Sequence, residues 1–131
     1  MNQPRMERRI GHRKPVVGLR CRWDLTGVGQ KKRLLRRPAE QYGDVLELSV
    51  SGALIAAPAS DLLVPGTVVS IDVEGQHGGV AIRNVRPAAV DGHHHYGVEF
   101  LQLDAGLRAQ INEFIASDRP GHLEAVWHKS R

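Results

Sequence analysis

YGVEFLQLDAGLRAQINEFI, residues 96–115, changes its period half-way along. Tyr96, Val98 and Phe100 share one face, and His95, Gly97 and Glu99 share the other. That period of two marks a half-buried strand. After Asp104, the apolar residues fall at Leu107, Ile111, Phe114 and Ile115, the spacing of one helix face. Asp104 is expected at the N-cap, and Pro120-Gly121 is expected to end the helix. A strand thus leads directly into one amphipathic helix, whose apolar face needs a surface to cover.

The residues upstream supply that surface as strands. In VVGLRCRW (16–23), Val17, Leu19, Cys21 and Trp23 are expected inside, with Gly18, Arg20 and Arg22 outside. DVLELS and GALIAA read as the next two strands. Pro65-Gly66 signals a turn, and TVVSIDVEG follows with Val69, Ile71 and Val73 on one side and Val68, Ser70 and Asp72 on the other. GGVAIRNVRP reads as another strand. About six strands with turn signals between them, then a helix, predict a mainly β chain: a small six-stranded antiparallel barrel with a C-terminal amphipathic α-helix. The expected boundaries are a flexible basic arm at 1–14, the barrel and helix at 15–118, and a tail at 119–131. Within the barrel, 24–43 shows no strand period and is expected as a long basic loop.

The totals fit one domain: 131 residues, of which 41% are hydrophobic. Aromatic residues make up only 5%, so Val, Leu, Ile and Ala must fill the core. A single cysteine, Cys21, excludes an internal disulfide framework and fits a reducing compartment. MNQPRMERRIGHRK lacks the apolar stretch of a secretory signal. No run is long and apolar enough to span a bilayer, and a cytoplasmic protein is expected.

The net charge of +4 is unevenly spread. Arg5, Arg8, Arg9, Arg13 and Lys14 cluster at the start, and KKRLLRR adds Lys31, Lys32, Arg33, Arg36 and Arg37. Such clusters suit an anionic partner or form solvated basic loops. Between two apolar runs lies ELSVSG, residues 47–52, with a carboxylate, two hydroxyls and a glycine. It is either a polar turn facing water or part of a binding constellation.

Three pieces in order resemble the PilZ domain family. RRIGHR holds R-x-x-x-R as Arg9 and Arg13; ELSVSGALI is close to the family's [D/N]-x-S-x-x-G and its following strand; YGVEFLQLDAGLRAQINEFI is similar to its closing strand and terminal helix. The resemblance spans roughly residues 7–117. It implies a six-stranded barrel that binds cyclic di-GMP, a bacterial second messenger, without catalysis. By that resemblance Arg8, Arg9 and Arg13 form the binding arm, with Arg9 and Arg13 gripping phosphates and stacking on guanines. Ser49 bonds near a guanine or phosphate, and Gly52 lets backbone approach the ligand. The chemistry is apt: a guanidinium is planar, permanently charged and forked, so it meets phosphate bidentately and stacks on bases. The sequence departs from the family at Glu47, where Asp or Asn is usual. The extra methylene moves the carboxylate outward, and a misplacement on the order of 1 Å can defeat a preorganised site.

Other features point less far. His93, His94 and His95 invite a metal reading, but on a strand only His93 and His95 share a face, and a closed zinc site needs four ligands. An exposed turn is expected there, and no metal or cofactor. Cys21 is expected as a small core residue. No nucleophile triad, phosphate loop or paired-carboxylate signature is present, so no enzyme activity is expected. Two alternatives to a cyclic di-GMP receptor stand: an adaptor of the same fold that binds no nucleotide, and a basic nucleic-acid binder using KKRLLRR. The scarcity of aromatic residues for base stacking disfavours the second. A protein partner is expected to read the receptor's state. Trp127 is expected to pack within the tail.

Overall fold

In the computed structural model, which describes residues 13–25 and 40–117, six strands precede one helix. They are β1 (Lys14–Asp24), β2 (Glu40–Leu48), β3 (Gly52–Pro58), β4 (Val68–Val73), β5 (Gln76–Pro87), β6 (His93–Leu103) and α1 (Ala105–Ala116). All pairings are antiparallel, in the closed order β1-β2-β3-β6-β5-β4. The barrel closes where Arg22, Trp23 and Asp24 of β1 pair with Asp72, Ile71 and Ser70 of β4. Closure leaves no unpaired edge strand among the described residues.

Inward positions of every strand form one core. Trp23 and Tyr96 are fully buried and meet edge to face, with ring centroids 5.2 Å apart. The Tyr96 hydroxyl donates to the Pro58 carbonyl at 3.2 Å and accepts from the Ser60 N–H at 3.1 Å. Burial raises its pKa. Cys21 lies inside as expected, and burial pushes its thiol up to about 12. The helix buries Leu107, Ile111 and Phe114. Leu107 and Ile111 line an apolar interior space with Leu48, Ile71 and Phe100, so α1 covers one end of the barrel.

The structure corrects three local expectations. Val17 is 75% exposed while Val16 is buried. The register with β2 shifts between Pro15 and Leu19, and Gly18 takes a φ of 84°, so a bulge resets the alternation ahead of Leu19. The segment without strand signal is shorter than 24–43: β2 begins at Glu40, and Gln41, Tyr42 and Gly43 pair with Trp23, Arg22 and Cys21. Gly43 must be small there, because a Cβ would lie 2.7 Å from Ile55 Cγ2. Asp104 stands at the N-cap as expected, its carbonyl accepting from the Arg108 N–H at 3.0 Å, while its carboxylate accepts from the His77 N–H at 2.8 Å rather than from the helix. Finally, His93–His95 open β6 as half-buried strand residues rather than an exposed turn, paired to Pro58, Ala57 and Ala56.

Candidate functional site

The segment 47–52 spans the connection between β2 and β3, which is residues 49–51, and the polar groups of Ser49, Ser51 and Gly52 are bound to one another. The Ser49 N–H donates to the Gly52 carbonyl at 2.9 Å. The Ser49 hydroxyl accepts from the Gly52 N–H at 3.1 Å and the Ser51 N–H at 3.3 Å, and it lies 3.3 Å from the Gly52 carbonyl as a donor. Only 5% of Ser49 is exposed. A buried hydroxyl needs partners, and this one finds them in the turn it closes. Ser49 therefore fixes the shape of the turn. Its Oγ also sits 3.4 Å from the exposed Ser51 hydroxyl.

Gly52 is small for the sake of the barrel. A Cβ there would stand 2.2 Å from the Val98 carbonyl oxygen on β6. That close approach admits no side chain. The same contact joins the turn to β6: Gly52 pairs directly with Glu99, and the Phe100 N–H donates to the Ser51 carbonyl at 2.9 Å.

Glu47 points outward beside the turn. The β2–β3 register shifts between Val45 and Glu47, so a bulge at Leu46 sets the local facing. The Glu47 carboxylate lies 3.3 Å from Arg13 Nη1, with side chains 39% and 62% exposed respectively. Two candidate residues 34 positions apart in sequence thus meet. A pair this exposed contributes about 0–1 kcal/mol to stability, and a competing anion can displace it.

The next residue secures the base on which Arg13 stands. Lys14 Nζ donates to the Phe114 carbonyl at 2.9 Å and the Ser117 carbonyl at 2.8 Å, and sits 4.7 Å from the Phe114 ring centroid. A cation here bonds carbonyls at the helix C-terminus and meets the negative end of its dipole. Sequence reading missed this role, because Lys14 carries no local mark of a partner a hundred residues away.

On the other flank of the turn stands a second arginine–carboxylate pair. Arg83 Nε donates to Glu99 Oε1 at 2.6 Å, and Arg83 Nη2 contacts the same oxygen. Arg83 lies in the β5 bulge between Ile82 and Asn84. Neither residue was among those singled out as binding residues.

Of the expected site residues, Arg13, Glu47, Ser49 and Gly52 come together at one corner of the barrel. Arg8 and Arg9 lie outside the described residues, as do the basic segment 31–37, Pro120-Gly121 and Trp127. Among the described residues, no group of three or more His, Cys, Asp or Glu is arranged to hold a metal ion. No described helix is long and apolar enough to cross a membrane.

Comparison with known proteins follows the same residues. The fold is similar to the PilZ domain of YcgR from Escherichia coli solved with c-di-GMP, at 15% identity and a TM-score of 0.62 over 95% of each chain. It is similar to K. pneumonia MrkH, solved as a complex with c-di-GMP, at 13% identity and a TM-score of 0.60 over 96% of this chain and 56% of that one. The Bacillus subtilis inhibitor of motility, MotI/DgrA, matches at 14% identity and a TM-score of 0.58 over 84% of this chain and 50% of its own. The chain spans about half the length of the latter two. No match was found among curated protein sequences. At these identities the structural likeness is one of fold, while the family model described as PilZ domain matches residues 7–117. The chain belongs to the PilZ domain family.

Proposed function

We propose that this chain is a non-enzymatic receptor for cyclic di-GMP, acting in the cytoplasm. The observation that carries it is the convergence of Arg13 and Glu47 beside the closed turn of Ser49 and Gly52, within a chain of a family whose structural neighbours include two solved with that ligand. In this mechanism the residue 1–14 arm meets the turn. Arg8, Arg9 and Arg13 hold phosphates and stack on guanines, with Arg13 exchanging the Glu47 carboxylate for ligand. A guanidinium suits both tasks. Ser49 acts by holding the turn in shape, and its neighbour Ser51 presents an exposed hydroxyl. Glu47, once released, offers a carboxylate to guanine N–H donors. Lys14 couples the arm to α1, so ordering of the arm alters the surface a protein partner meets.

A second reading is favoured by one observation. Glu47 is longer than the family's usual Asp or Asn, and it occupies Arg13. On that reading the chain is an adaptor that keeps the fold and binds no nucleotide.

Calorimetric titration with cyclic di-GMP separates them. Saturable binding is expected, with Arg13→Ala weakening it at least tenfold. No heat at high micromolar ligand excludes the receptor and favours the adaptor.

A further inference from the structure

We infer that the Arg83–Glu99 pair is the opposite wall of the same site and selects guanine over adenine. The inference rests on the cyclic di-GMP reading above.

Position is the first argument. Glu99 is the direct cross-strand partner of Gly52, and the residue after it is bonded to the turn through the Phe100 N–H. Glu99 is therefore fixed relative to the turn by backbone bonds. Arg83 owes its direction to the β5 bulge, which leaves it between the Ile82–Val98 and Asn84–Gly97 pairs. Bulges re-aim side chains, and here the guanidinium turns onto Glu99.

The ground between the two flanks is the second argument. Glu47, Leu54, Gly97 and Asn84 form one row of paired residues across β2, β3, β6 and β5. At one strand spacing per step the row is roughly 14 Å wide. Its middle is low: Leu54 is half-buried and Gly97 has no side chain. The Asn84 amide leans over Gly97, where a Cβ would meet its Oδ1 at 2.7 Å. Arg13–Glu47 and Arg83–Glu99 thus stand on either side of a floor made by Leu54 and the Asn84 amide over Gly97, a surface on which a flat base can lie.

Chemistry names the base. A carboxylate accepts from the N1–H and exocyclic N2–H groups of guanine, and an arginine fork meets guanine O6 and N7. Adenine offers an acceptor at N1 and no N2 amine, so Glu99 would face a lone pair instead of two donors. The pair is half-exposed and contributes little to stability, so variants lacking it are expected to fold.

The test is calorimetry of the full chain with cyclic di-GMP and with cyclic di-AMP. Glu99→Gln and Arg83→Met are compared with wild type and with Arg108→Ala, a charge removed from the exposed side of α1. Melting temperature confirms folding of each. Glu99→Gln is expected to weaken cyclic di-GMP at least tenfold and to narrow its preference over cyclic di-AMP. Arg83→Met is expected to weaken it comparably, and Arg108→Ala to leave it within twofold. Wild-type binding with unchanged affinity in both Glu99→Gln and Arg83→Met overturns the inference and leaves the receptor reading standing. Absence of wild-type binding overturns both.

Discussion

Gly52→Ala tests whether the glycine of the turn serves the barrel or the ligand. The added Cβ would stand 2.2 Å from the Val98 carbonyl oxygen, against an ordinary contact of at least 3.4 Å, so 3.4 − 2.2 = 1.2 Å of displacement is needed. The obstacle is backbone in a paired strand, which cannot rotate away as a side-chain tip can. Overpacking of this kind costs about 1–3 kcal/mol. Gly52 does not adopt a positive φ, so the alanine returns roughly 0.4–1 kcal/mol by restricting the unfolded chain. The net loss is about 1.3 kcal/mol, or roughly 4–7 °C in melting temperature for a domain of this size. The assay is thermal unfolding followed by circular dichroism without ligand, repeated in urea. A melting temperature within 2 °C of wild type would refute the reasoning and return Gly52 to a role in ligand approach alone.

Three further outcomes are expected. Glu47→Asp shortens the carboxylate and loosens its hold on Arg13, so cyclic di-GMP affinity should rise severalfold; unchanged or weaker affinity would show that the longer acid is no handicap. Lys14→Met removes two charge-assisted bonds at the helix C-terminus and should cost about 1–2 kcal/mol, read as a lower urea midpoint; an unchanged midpoint would mean that water replaces the ammonium fully. The Cys21 thiol ordinarily titrates at 9.0 and in the fold at about 12, so below pH 9 both states hold the proton. Between those values the unfolded state releases it first, and stability should decline as pH rises through that window. Cys21→Ala should flatten that decline, and equal slopes for both proteins would remove Cys21 as its cause.

The fold was readable where one face of a strand is buried. Val69, Ile71 and Val73, or Tyr96 and Val98, alternate because water lies on one side only. Val17 misled because a bulge adds residues without announcing them, and only the pairing with β2 reveals it. Glu40–Gly43 looked like loop because its polar and small residues gain strand structure from pairing with β1. At the site, Glu47, Ser49 and Gly52 were legible as a contiguous motif. That the Ser49 hydroxyl bonds the turn's own N–H groups was not, since the motif spacing suits a structural and a binding role alike. Lys14 at the helix end and Arg83 on Glu99 join residues 103 and 16 positions apart. No spacing rule encodes such pairs; the strand register creates them.

The Lys14 ammonium also has a topological consequence. It stands at the first residue of the barrel and touches the carbonyl of Ser117, just past the last helical residue. The first strand and the residue after the helix, 103 positions apart, are therefore joined at one corner. Labels attached at Pro15 and Ser117 would sit close together, and the distance between them would gauge whether this corner opens.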